Sequence, residues 1–295
     1  MGAADVVPGV SGGTIAFITG IYEELVNSIK SINPSAVRLL VTGRWASFWK
    51  HVNGNFLLSV FAGIAVSVIT LAHVLEYLLE QHPVLIWSFF FGLILASSWI
   101  VARKVGKWDY PKVVALAGGI GAAFYITSVT PATTTDAVWF VFMAGALASC
   151  AMILPGISGS FILLLLGKYL FALRAVNERI ILDLLILGSG AVIGLILFSN
   201  LLSWLLRKYH DVTVAVLVGF MIGSLNKIWP WKETLETIVV DGEVRPLLEK
   251  NVVPSVSSAD DRFWIALLMA AAGILAILLI ELGLARSRGR TAGKI

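Results

Sequence analysis

The chain has 295 residues, 58% of them hydrophobic and 14% charged, with a mean hydropathy of +0.89 and a formal net charge of +4. Water-soluble domains carry about 25% charged residues, so this balance excludes a soluble globular fold and points to an all-α polytopic membrane protein. The single cysteine, Cys150, excludes an intrachain disulfide, and Met1–Val7 shows neither the basic stretch nor the apolar core of a cleavable signal peptide.

The first predicted unit, residues 1–29, opens on "DVVPGVSGGT" at 5–14. Pro and Gly free backbone groups that hydrocarbon cannot satisfy, so such a break belongs where it faces protein or a water-filled cavity. A basic stretch, 30–53, follows. A spanning helix needs about 20 mostly apolar residues, and the next three such segments are 55–79, 84–102 and 113–129. Residues 137–172 hold two apolar stretches divided by "PGISGS" and read as a re-entrant-type helical hairpin with that motif at its tip. Residues 1–29 read as its counterpart with a stunted first leg. Three more crossings are expected at 184–206, 212–229 and 263–283. The fifth of the six is the weakest, because Asn226 and Lys227 interrupt its far end. The acidic segment 230–262 reads as a loop.

Aligning Pro8 with Pro155 pairs Gly9 with Gly156, Ser11 with Ser158, Gly12 with Gly159, Ile15 with Ile162, Gly20 with Gly167 and Tyr22 with Tyr169. A second register, offset by 127, pairs Gly63 with Gly190, His73 with Asn200 and Gly92 with Gly219. Chance resemblance between apolar helices explains matched Leu and Ile, but not Pro, Gly, Ser and Tyr matched in order. The expectation is one membrane domain, 1–295, built as an internal repeat of 1–130 and 131–295, each half a hairpin plus three transmembrane helices. With 30–53 and the basic C-terminus placed in the cytoplasm, Lys and Arg number 14 inside against 8 outside, the sign the positive-inside rule requires. The two hairpins then open to opposite sides. Inverted halves of this kind build many transporters.

Ser-Gly-Gly-Thr before a helix offers unpaired N–H groups, glycines with no Cβ in the way, and capping hydroxyls. Such a terminus binds phosphate or carboxylate without any Lys or Arg. Ser11, Gly12, Gly13 and Thr14, with Ser158, Gly159 and Ser160, are therefore the candidate anion cradle. The competing reading is that the glycines only let helices pack closely. Lys168, at the outer end of the second hairpin, and Lys227, beside Trp229 and Trp231, read either as snorkelling interfacial charges or as phosphate captors. Asp5, Glu23 and Glu24 are candidates for coupling or gating, against a bland role as caps and interfacial charges. A helix–helix hydrogen bond is expected of His73 and Asn200. No metalloprotease, Walker A or Cys/His signature is present, and "PGVSGG" lacks the preceding strand of a nucleophile elbow. No enzyme, metal site or cofactor is expected.

The segments "GAADVVPGVSGGTIAFITGIYEEL" (2–25), "SCAMILPGISGSFILLLLGKY" (149–169) and "GFMIGSLNKIWPW" (219–231) resemble the bacterial polyprenyl-phosphate transporter family, formerly a domain of unknown function. The resemblance spans nearly the whole chain. It implies a multi-pass protein of the bacterial cytoplasmic (inner) membrane, with its C-terminus in the cytoplasm, that returns undecaprenyl phosphate from the outer to the inner leaflet. The returned lipid is reused in cell-wall and surface-glycan synthesis. The implied partners are a polyprenyl phosphate lipid and the phospholipid bilayer, with no nucleic acid; a homo-oligomer stays open. Bringing in an anion against a negative interior costs about 2.3 kcal/mol per charge per 100 mV, so proton or sodium coupling would offset it. Two rivals remain: a transporter of a small soluble anion, which would use the same tips, and a lipid phosphatase, which would need a nucleophile or metal.

Overall fold

The computed structural model describes the chain apart from residues 3, 5–10, 133, 241–242, 255–261 and 293–295. Its helices, in order, are α1 (Gly12–Thr19), α2 (Tyr22–Lys30), α3 (Pro34–Val41), α4 (Trp45–His51), α5 (Gly54–Gln81), α6 (Pro83–Ala102), α7 (Tyr110–Ser128), α8 (Val138–Ile153), α9 (Gly159–Leu165), α10 (Tyr169–Asn177), α11 (Ile181–Lys208), α12 (His210–Ser224) and α13 (Phe263–Ala292). Between α12 and α13 lie two strands, β1 (Lys232–Val240) and β2 (Glu243–Asn251). Five of these helices are long and apolar enough to cross a membrane, or six if the bent pair α9–α10 counts as one span. The protein is a multi-pass membrane protein, mostly helical.

Local chemistry sets the boundaries. Ser11 caps α1, its Oγ accepting from the Gly13 N–H at 3.1 Å. Asn33 and Asp109 cap α3 and α7 in the same way, each followed by a proline in the first turn, where the missing N–H costs nothing. Gly20 ends α1 in the left-handed region (φ 79) and Gly167 follows α9 there (φ 63), a conformation that glycine alone adopts without strain. Both ends of α5 lie 127 positions before those of α11. The residues that close these two helices, His82 and Tyr209, share nearly the same backbone angles, φ −139, ψ 51 and φ −133, ψ 49.

Three helix pairs form the framework: α8 on α11, α7 on α12 and α6 on α13. In each, glycines bring backbones into contact. A Cβ on Gly190 would strike the Phe142 carbonyl, one on Gly219 that of Leu116, and one on Gly273 that of Phe89. In lipid this close packing replaces the hydrophobic drive between helices. Over its apolar window α6 is 61% buried, against 11% for α5, α7 and α11. It is the central helix, and the others turn a face outward to lipid. The short α1 sits inside, with Phe17 and Ile18 in apolar clusters shared with α6, α11 and α12.

Three expectations need correction. The fifth crossing stops at Ser224, not 229, because the chain turns at Leu225–Lys227, where Asn226 and Lys227 leave the apolar run. The second leg of the 137–172 hairpin is only the seven residues of α9. After it the chain bends by 110° into α10, so that leg breaks at Gly167 and turns aside. The 230–262 segment is not purely a loop, and the fold is not purely α. β1 and β2 form an antiparallel hairpin in register from Lys232↔Asn251 to Val240↔Glu243, with an irregularity at Glu236. The β-branched run Thr237–Val240 favours the extended chain.

Candidate functional site

The tip at Ser11 rests on the end of α8, the helix that leads into the second Pro-Gly-x-Ser-Gly motif. Ser11 Oγ donates to the Met152 carbonyl at 3.3 Å. A Cβ on Gly13 would meet the Ile153 carbonyl at 2.7 Å, so only glycine allows the approach. Tyr22, buried, donates its hydroxyl to the same Ile153 carbonyl at 3.1 Å. The last carbonyls of a helix have no partner within it, and Ser11 and Tyr22 supply partners to two of them here. At the second tip, Gly156 (φ 95) packs against the end of α12, facing Met221 and Ser224. The Ser158 and Ser160 hydroxyls are bonded to each other at 2.8 Å. Gly159 lies against the Ala148 carbonyl of α8. Thr14 is fully buried, and its Oγ1 has no hydrogen-bond partner among the described residues. A buried hydroxyl left unpaired costs about 1–3 kcal/mol, so a polar ligand reaching it would be welcome.

A concave region lies beside α9. It is a cavity of about 310 Å³ between the end of α7, the helix α9 and the base of the β hairpin. Lys227, Lys232, Glu249, Lys250, Asn226 and Asn251 supply its polar wall; Phe161, Leu164 and Leu165 supply the apolar one. Lys227 and Lys232 both donate to one oxygen of Glu249, at 3.2 and 3.3 Å. Lys227 also lies over the Phe161 ring and Lys232 over Trp87, 5.3 and 4.1 Å from their centres. Burial pushes the Lys232 ammonium down to about 8, against the pull of Glu249. Burial would raise the Glu249 carboxyl, but Lys232 and Lys227 outweigh it and hold the group below the usual carboxylate range.

Residues 1–244 match the family described as undecaprenyl phosphate translocase-like. The chain belongs to that family. Among curated relatives of this translocase-like family, it is 48% identical to a polyprenyl-phosphate transporter of Vibrio cholerae, over 95% of this chain and 93% of that protein. It is 33% identical to a polyprenyl-phosphate transporter of Staphylococcus aureus, over 78% of this chain and 83% of that one. No solved structure matches it.

The other candidates in this translocase-like chain fall in different places. Lys168 is buried: its ammonium pairs with Asp136, donates to the Thr134 carbonyl and lies over the rings of Phe140 and Phe171. It fastens Thr134 and Asp136 to the α9–α10 bend and does not line the cavity with Lys227. Glu23 pairs with His210 at 3.3 Å, and Glu24 accepts from Asn53 at 2.9 Å. His210 also contacts Asp211, which accepts from the Gly106 N–H and pairs with Lys112. Asp5, Pro8 and Gly9 lie outside the described residues, as does the side chain of His73. Asn200 donates to Ile196 in its own helix, not across to another. Lys232, Glu249 and Tyr22 were not singled out from sequence. The Tyr22–Tyr169 identity was the signal available for Tyr22; nothing local marks Lys232 or Glu249.

Proposed function

We propose that this protein carries a polyprenyl phosphate across the bacterial cytoplasmic membrane, from the outer to the inner leaflet, so that the carrier lipid can be reused in cell-wall and surface-glycan synthesis. The names of its relatives support the cargo. The observation that carries the mechanism is the seating of the Ser11 tip on the helix end that feeds the Ser158 tip. Two phosphate-binding turns brought to one seam suit a single headgroup, and the unpaired Thr14 hydroxyl is a waiting donor. The polyprenyl tail stays in lipid while the headgroup passes. In this reading Ser11, Gly12, Gly13 and Thr14 hold one side of the phosphate, and Ser158, Gly159 and Ser160 the other.

The two halves are read as an inverted repeat, 1–130 and 131–295. The 127-residue offset of α5 and α11, the matched angles at His82 and Tyr209, and the paired left-handed glycines Gly20 and Gly167 all support this. Rocking of one half against the other would expose the site to each side in turn. Glu23, tied to His210, would join the inner gate, and proton or sodium entry would offset the charge carried in. If transport in sealed liposomes ignores both pH and sodium gradients, that coupling is wrong.

The test is leaflet sidedness. Purified protein is placed in liposomes with undecaprenyl phosphate, and an impermeant headgroup probe follows the outer-leaflet phosphate. Wild type is expected to transfer it, and the Ser11→Ala/Ser158→Ala double variant to lose most of that transfer. Equal transfer by the double variant would return the motif to helix packing. Absence of transfer by folded wild-type protein would refute the function.

A further inference from the structure

We propose that the cavity between α7, α9 and the β hairpin is an entry site for a phosphate monoester, and that Glu249 occupies its anion position until that ligand arrives. The proposal rests on the transport reading above and adds a site distinct from the tips. Three features of the cavity point to an anion. Two lysines from different segments, Lys227 and Lys232, converge on one carboxylate oxygen. Their side chains are 20% and 7% exposed, so both charges are drawn largely out of water, where an anion gains most from them. Lys250, exposed and opposite Glu233 in the hairpin register, adds a positive charge at the rim. One carboxylate therefore faces two ammonium groups, and this cluster keeps an excess of positive charge that a phosphate would neutralise.

The other wall defines the ligand class further. Phe161, Leu164 and Leu165 belong to α9, the helix that starts at the second tip. A ligand with its phosphate on Lys227 and Lys232 would lay its first apolar carbons on α9. Phe161 follows Ser158 by three residues, so the cavity abuts the helix that leads to the tip. Its polar wall comes from the end of α7 and the base of the β hairpin, which the charge distribution assigns to the outer face. A headgroup would enter there, displace Glu249 and pass inward along α9. Glu249 acts as an internal competitor. It keeps the lysines ordered and charged while the cavity is empty, and it sets a threshold that weaker anions do not cross.

The experiment is binding to the purified full chain in detergent, by calorimetry, with inorganic phosphate, farnesyl phosphate and farnesol. Glu249→Gln removes the competitor but keeps the shape and is expected to tighten phosphate binding about tenfold. Lys227→Gln is expected to weaken it by a similar factor. Both effects should persist in the Ser11→Ala/Ser158→Ala background, which separates this site from the tips. A gain of affinity cannot come from misfolding, so Glu249→Gln decides. Unchanged or weaker binding in that variant overturns the proposal. If farnesyl phosphate binds and inorganic phosphate does not, the source is a lipid headgroup. Equal binding of the two still supports an anion site, but one serving free phosphate. Failure of lipid transfer in liposomes alongside tighter binding by Glu249→Gln would refute the transport reading and leave this site standing.

Discussion

Tyr22 joins α2 to the end of α8 through one hydroxyl. Its ring packs on Phe17, 4.5 Å between centres, and its oxygen reaches the Ile153 carbonyl. Tyr22→Phe keeps the packing and removes the bond. It is expected to lower stability by about 1 kcal/mol, read as a drop in the unfolding midpoint in detergent; an unchanged midpoint would show that the bond does not hold the seam. The pH dependence at Lys232 has a definite sign. Its ammonium loses charge near pH 8 in the folded protein, below the ~10.4 of an unfolded lysine. Between those values the unfolded chain binds more protons, so the stability cost of burying this charge is relieved as pH rises through 8. Anion binding in the cavity runs the other way. Phosphate affinity should fall between pH 7 and 9.5, and the fall should be lost in Lys232→Gln. The tip residues Ser11, Gly13 and Ser158 were legible in the sequence, since a cap and a close approach are local requirements. The Lys227–Glu249–Lys232 cluster was not. Its members lie on separate strands and turns, and no local pattern records which ammonium meets which carboxylate.

The helices were legible because each crossing must hide its backbone from lipid over a fixed thickness, which demands a long apolar run. All six segments read from hydropathy correspond to helices, most with ends shifted by a few residues, while α13 runs nine residues past its expected end. The exceptions have physical causes. The helix α12 is only 15 residues long, so its apolar run overstated it. The β hairpin escaped notice because only part of it is rich in β-branched residues, and strand pairing depends on a partner elsewhere in the chain. The glycine seams make a prediction at this scale. Gly190→Leu would drive a side chain into the Phe142 backbone and should cost about 1–3 kcal/mol or more by overpacking. A thermal unfolding curve in detergent reads it, with Gly188→Leu as control, since nothing stands within 4 Å of that Cβ. Equal midpoints for the two variants would mean that the α8–α11 seam is not tightly packed.

Across the whole molecule, the inverted reading places the 30–53 segment and the β hairpin on opposite sides of the membrane. Thr42 and Val253 are exposed and suit a sidedness test in a Cys150→Ala background. In sealed right-side-out vesicles, an impermeant maleimide should label Val253→Cys and spare Thr42→Cys until the membrane is opened. Labelling of both, or of Thr42→Cys alone, would overturn the topology. Membrane class, the positions of the long apolar segments and the duplicated Pro-Gly-x-Ser-Gly motif were readable from the order of residues, because lipid imposes its demands on each segment separately. The seating of one tip against the approach to the other, the diversion of Lys168 to Asp136 and the assembly of the lysine cavity were not. Those arrangements depend on which helices pack together, and that is settled by glycine seams and buried partners far apart in the chain.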